Sequence, residues 1–254
     1  MEKDIIVAKF GSDVVCGSGG IEQEIIAGYV SGLIDRKRDN GLIVVSSGAI
    51  KAGETRLRNN HFEVDKYDDV TLAQLGCTTV MHAWESEFER HKVMAGGLLT
   101  THHEIEDKQE GSMLQKTLRK ALNKDVVSII NENDALSEEE LMAYAEAADN
   151  DGLATLIAIK SGASELNIYT TQGGIYDDSG VLIEEINRHN YYEIESMLAS
   201  RQGQKSSTST RGGGRGGVIK KIQAAKKASM AGIAVSIMKP TENMVGENIT
   251  RVIW

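Results

Sequence analysis

Short runs of β-branched residues alternate along this chain with longer stretches in which apolar residues return every three or four positions. Ile5 to Ala8 predicts a strand. Ile21, Ile25, Ile26, Tyr29, Val30, Leu33 and Ile34 then share one helical face, and Asn40-Gly41 ends that helix. Leu42 to Val45 is an unbroken apolar run and predicts a buried strand. Val70, Ala73, Cys77, Val80, Met81, Trp84 and Phe88 predict the next helix.

The alternation continues with a strand between Val93 and Leu99, a helix carrying Met113, Leu114, Leu118, Ala121 and Leu122, and a strand from Val126 to Ile130. A helix around Leu153 to Ile159 leads to a strand from Leu166 to Thr170. Strands at Ile233 to Ile237 and Ile249 to Ile253 complete the pattern. Parallel strands need crossover connections, so this order predicts an α/β fold with a largely parallel sheet covered by helices on both faces. Ligands in such folds sit at the carboxyl ends of the strands. Leu198 to Gly217 is rich in Ser, Thr, Gly and Gln without apolar periodicity and is expected to be an exposed loop.

Length adds that 254 residues suffice for one large core, so residues 1–254 are expected to form a single domain. With 28 Lys+Arg against 37 Asp+Glu, the chain as a whole repels nucleic acid and anionic membranes, and an anionic ligand needs a local basic site. Cys16 and Cys77 have no metal-ligand spacing and read as ordinary buried thiols of a reducing compartment. No apolar stretch approaches the ~18 residues of a membrane span, and a cytoplasmic location is expected.

Four glycine-rich or polar junctions follow predicted strands: Lys9-Phe10-Gly11-Ser12, Ser46-Ser47-Gly48-Ala49, Asn131-Glu132-Asn133-Asp134 and Thr170-Thr171-Gln172-Gly173-Gly174. One such junction is ordinarily a turn; four at one sheet edge predict a site. Lys9 would aim an ammonium into the strand-end crevice, where backbone N–H groups of the following turn face the same ligand. Gly212 to Gly217, with Arg215 among the glycines, opens a helix bearing Lys220 and Lys221, with Val218, Ile222 and Ala225 on its buried side. Its glycines allow close approach to phosphate, and a helix N-terminus favours negative charge.

The same stretch satisfies GxGxxG, but it lies near the C-terminus and Lys239 stands where a dinucleotide site needs an acid. No GxxxxGK[ST] motif occurs, and an RNA-binding reading of Arg211 and Arg215 lacks interleaved aromatic residues. Asp149-Asn150-Asp151 precedes a helix and reads either as a cap or as a carboxylate that fixes the two lysines beside a substrate-binding Asn150. His102-His103-Glu104 offers no third ligand at metal spacing, and Ser137-Glu138-Glu139-Glu140 reads as a capping box.

Taken in order, Lys9 to Ser12, Ser46 to Gly53, Leu98-Leu99-Thr100, Ile129 to Asp134 and Asp149 to Asp151 resemble the motifs of the amino acid kinase family, in its glutamate 5-kinase branch, over nearly the whole chain. The resemblance implies an open αβα sandwich, use of ATP and Mg2+, and no covalent enzyme intermediate. It implies that Ser47, Gly48, Ala49, Asp134 and Asn150 contact L-glutamate in the N-terminal part. Lys9 and Lys221 would flank the transferred phosphoryl group, with Asp151 orienting them. Gly11, Ser12, Thr170, Thr171, Gly214, Arg215, Gly216 and Gly217 would surround the nucleotide. It further implies a homo-oligomer, feedback inhibition by proline, and a chain ending with the kinase domain, without the RNA-binding-like domain of many bacterial members.

Thr171 stands where the family usually has an acid, Arg215 replaces a Thr and Ala148 a Gly, and the segment between Asp134 and Asn150 is longer than usual. Two alternatives stay open on the sequence: another acceptor within the family, or a non-catalytic sensor of an amino acid or nucleotide. A glutamate carboxylate, with a reference pKa of ~4.3, is already an anionic nucleophile at neutral pH and needs no general base. The chemistry instead needs fixed cations that let one anion approach another.

Overall fold

Strand β1 (Ile5–Phe10) is apolar at nearly every position because both of its faces are covered, the environment in which strands lose polar alternation. The computed structural model describes residues 3–17, 19–134, 150–204, 217–241 and 244–254. Around β1 stand β2 (Gly41–Ser46), β3 (Ala95–Thr100), β4 (Val127–Glu132), β5 (Glu165–Tyr169), β6 (Glu185–Ile186), β7 (Ala234–Lys239) and β8 (Glu247–Val252). Their order is β6-β8-β7-β5-β1-β2-β4-β3. Every neighbouring pair from β7 to β3 is parallel. Strand β8 is antiparallel to β7, and β6 is parallel to β8.

Among the described residues the α-helices are α1 (Ser12–Val15), α2 (Gln23–Lys37), α3 (Ala49–Asn59), α4 (Asp69–Arg90), α5 (His102–Glu106), α6 (Lys108–Asn123), α7 (Asn150–Ser161), α8 (Tyr191–Gln204) and α9 (Gly217–Met230). On one sheet face, Ile6, Ala8, Phe10, Leu42, Val44 and Ile129 meet Ile26, Val30 and Leu33 of α2 and Val80, Trp84 and Phe88 of α4. On the other, Val7, Ile43, Val45, Leu166 and Ile168 meet Leu118 of α6, Leu153 and Ile157 of α7, Leu198 of α8 and Ile222 and Ala225 of α9. Each such fully buried aliphatic or aromatic side chain contributes about 1.5–3 kcal/mol. The result is the expected open αβα sandwich.

Three expectations need correction. Part of the segment from Leu198 onward is helix α8, not loop: Tyr191, Ile194 and Leu198 are buried at helical spacing, and the polar residues between them face outward. The remainder, 205–216, lies outside the described residues, as does the capping box at Ser137. Val218 is 40% exposed, because α9 packs on α7 further along, where the Thr155 hydroxyl donates to the Ala224 carbonyl at 3.0 Å. Cys16 is buried, but Cys77 is only partly so.

Helix α3 was not predicted, and its packing explains why its signal is weak. It crosses α4 so closely that a Cβ on Gly53 would lie 1.9 Å from the Leu72 carbonyl oxygen, and one on Gly76 would lie 1.9 Å from the Ala49 carbonyl oxygen. Backbone contact replaces the apolar stripe that periodicity detects. No described helix is long and apolar enough to cross a membrane.

Candidate active site

All four junctions lie at one edge of the sheet, because β1, β2, β4 and β5 are parallel and their carboxyl ends coincide. Lys9 is the penultimate residue of the central strand, on the same face as Val7, and is 5% exposed. On that face α7 begins, placing Asp151 in its first turn. Lys9 Nζ lies 2.7 Å from Asp151 Oδ1, and Lys221 Nζ, one turn into α9, donates to Asp151 Oδ2 at 2.5 Å. One carboxylate thus spaces two ammonium groups drawn from opposite ends of the chain. Burial alone would push the Asp151 carboxyl up; the charges of Lys9 and Lys221 outweigh it and hold the group below the ordinary carboxylate range.

The turn after β2 is fixed from below. Ser46 is fully buried; Trp84 Nε1 donates to its hydroxyl at 2.9 Å, and that hydroxyl donates to the Ser47 carbonyl at 3.1 Å. Ser47 N–H donates to the Phe10 carbonyl at 3.1 Å, tying this turn to the end of β1. Gly48 takes φ 110°, a left-handed conformation that glycine adopts without steric cost, and Ala49 opens α3. Ser47 and Ala49 are buried.

At the end of β4, Asn131 is 1% exposed with both polar side-chain atoms unpartnered, and the Oδ1 of Asn150 is likewise buried without a partner. Such groups are costly unless a ligand or water completes them. Asp134 follows in a half-buried turn whose position is set by Asn133 N–H donating to the Thr100 carbonyl at 3.0 Å. Burial first, and then the charge of Glu132, push the Asp134 carboxyl up to about 7 against the opposing effect of His102.

Gly11 and Ser12 begin the turn after β1, and an added Cβ on Gly11 would lie 3.8 Å from Lys9 Nζ. The Thr170 hydroxyl is held within its own turn, donating to the Gly173 carbonyl at 2.6 Å, while Thr171 is exposed. Gly217 starts α9. Gly214, Arg215 and Gly216 lie outside the described residues. The structure therefore brings together Lys9, Ser47, Asp134, Asn150, Asp151 and Lys221 along one edge.

Sequence reading singled out neither Trp84 nor His102 for the site. Trp84 looked like core, which it also is. His102 opens α5 under a capping box in which Glu104 N–H donates to Thr101 Oγ1 and Thr101 N–H to the Glu104 carboxylate, and its Nδ1 is 3.1 Å from Glu132 Oε1. Only the third dimension relates it to the β4 motif, 30 residues on.

The described donor set is cationic at the β1 end and acidic or amide at the β4 end. It can hold phosphate oxygens at the first and a small ligand with a positive group at the second. A model of the amino acid kinase family matches residues 4–239. A glutamate 5-kinase of Bacillus cereus (strain ATCC 10987 / NRS 248) is 32% identical over 240 residues, which is 93% of this chain and 63% of that protein. A glutamate 5-kinase of Teredinibacter turnerae is 31% identical over 237 residues, covering 91% and 61%. The chain thus spans less than two thirds of the length of these relatives. The crystal structure of UMP kinase from Ureaplasma parvum matches with a TM-score of 0.61 at 13% identity, covering 100% of this chain and 97% of that one, a likeness of fold alone.

Proposed function

The chain belongs to the amino acid kinase family, and on that premise we propose that it transfers the γ-phosphoryl group of MgATP to the side-chain carboxylate of L-glutamate, giving glutamyl 5-phosphate and ADP. The observation that carries the reading is the Lys9–Asp151–Lys221 arrangement at the carboxyl edge of the sheet. The glutamate 5-kinases that the chain resembles support the choice of acceptor.

In this reading the residues form one domain with two functions along one edge. Ser47, Gly48, Ala49, Asn150 and Asp134 receive glutamate, Asp134 facing its ammonium group. Gly11, Ser12, Thr170, Thr171, Gly217 and the segment with Gly214, Arg215 and Gly216 surround the nucleotide. Mg2+ would arrive with ATP and neutralise phosphate charge, since both oxygens of Asp151 are already engaged by lysines. Lys9 and Lys221 line the path between acceptor and donor, where their fixed charges offset the repulsion of carboxylate and phosphate and stabilise the charge that spreads over the transferring oxygens. Their spacing is set before substrate arrives, so no reorganisation is needed at the moment of transfer. The acceptor is already ionised, and no general base is required.

The same reading places the protein in the cytoplasm as a biosynthetic enzyme on the route to proline, open to feedback by that product and assembled as a homo-oligomer. ADP release in the presence of glutamate, aspartate, N-acetylglutamate, UMP or isopentenyl phosphate, with hydroxylamine to trap an acyl phosphate, tests the acceptor. Glutamate-dependent ADP with an equal yield of hydroxamate is expected; ADP driven by another acceptor instead would move the substrate.

A further inference from the structure

We infer that His102 is a positioning residue for the acceptor end: it holds Glu132 beside Asp134, and through that pair acceptor binding is coupled to release of a proton. The inference rests on the reading that Asp134 meets a cationic group of the acceptor.

The geometry starts with α5. Its first turn is pinned by the reciprocal Thr101–Glu104 cap and by the Thr100 hydroxyl donating to the Glu104 carboxylate at 3.1 Å. His102, the first residue of that helix, is therefore fixed over the end of β4, with its Nδ1 3.1 Å from Glu132 Oε1. An ionised carboxylate only accepts hydrogen bonds, so Nδ1 carries the proton of this contact. Glu132 is 7% exposed, and the same turn of chain carries Asp134. The charged groups acting on Asp134 among the described residues are Glu132 on β4, which disfavours its ionisation, and His102 on α5, which favours it.

Two carboxyl groups in one partly buried turn resist carrying two charges, so burial and the charge of Glu132 together favour a proton on Asp134. In the ligand-free protein the Asp134 carboxyl is pushed up to about 7, first by burial and then by the charge of Glu132. An acceptor bringing an ammonium group supplies the missing positive charge, so the proton leaves as the acceptor binds. Reciprocally, raising the pH tightens the acceptor without changing the nucleotide site, whose carboxylate is already held ionised by two lysines. His102 favours the ionised form of Asp134 before the acceptor arrives.

The test uses the full chain and two readouts. Carbon-13 NMR of aspartate side-chain carboxyls, with Asp134→Asn assigning the resonance, follows the titration of Asp134 in the absence of any acceptor. Its midpoint is expected to rise by about half a unit or more in His102→Gln and to fall in Glu132→Gln, since these remove influences of opposite sign. In steady-state assays the KM for glutamate should fall as pH rises from about 6 to 8, by up to ~10-fold per unit below the midpoint. In His102→Gln that KM should rise about threefold at pH 7, with the KM for MgATP and kcat within about twofold. A merely structural role for His102 would lower melting temperature and kcat while leaving the Asp134 midpoint in place.

An Asp134 titration unmoved in both variants overturns the inference, as does a glutamate KM independent of pH over that range. A protein that turns over none of the acceptors, while Asp134 responds to both variants as stated, supports the coupling and instead removes the proposed function.

Discussion

Two carboxylates at the same sheet edge are treated in opposite ways. Asp151, 5% exposed, carries a full charge because Lys9 and Lys221 each engage one of its oxygens. Asp134, in the half-buried turn after β4, is pushed up to about 7, first by burial and then by the like charge of Glu132. The first is completed by the protein itself; the second is completed in our reading by the acceptor. A phosphoryl-transfer site needs both kinds. The cations must be immobile before the donor arrives, whereas the acceptor pocket must keep its unsatisfied groups for the ligand, at a cost in stability.

The largest expected effect is on the satisfied side. Lys9→Ala or Lys221→Ala should lower kcat by about 100-fold or more while circular dichroism stays near wild type. Full activity in either variant would remove the clamp from the account. On the unsatisfied side, Asp134→Asn should raise the glutamate KM by about 10-fold or more and also stabilise the ligand-free protein at pH 8. The sign follows from linkage: the folded group binds its proton more tightly than the unfolded one, so ionisation costs stability as pH rises from the ordinary ~3.9 through about 7. The gap in melting temperature between variant and wild type should therefore narrow towards pH 5. A variant less stable than wild type at pH 8 would mean that the charge of Asp134 is already compensated.

Smaller effects concern the supports of the Ser47 turn. Gly76→Ala should cost about 1–3 kcal/mol in denaturant unfolding, because its methyl group would meet the Ala49 carbonyl oxygen at the start of α3. Trp84→Phe removes the donor to Ser46 and should cost about 1 kcal/mol, with a rise in glutamate KM larger than any change in the KM for MgATP. Equal changes in both Michaelis constants would make Trp84 a core residue only.

Much of this was legible in the chain. The continuous apolar runs of β1, β2 and β4 announced strands buried on both faces, and the polar residues that end them announced one ligand edge. Lys9 and Lys221 were recognisable by type and position, and Asp149-Asn150-Asp151 was readable either as a cap or as a carboxylate for them; only the contacts of Asp151 with both ammonium groups decide between the two. Helix α3 was silent because Gly53 and Gly76 replace side-chain packing with backbone contact. The contact between His102 and Glu132 joins a helix start to a strand end, and each taken alone reads as a cap or a motif flank.

The most direct measurement of the central claim is ADP release from MgATP by the full chain with glutamate as acceptor and hydroxylamine present. The account predicts glutamate-dependent ADP with equimolar hydroxamate, lost in both Lys9→Ala and Lys221→Ala. ADP formation that is unaffected by glutamate, or that persists undiminished in the two lysine variants, would contradict it.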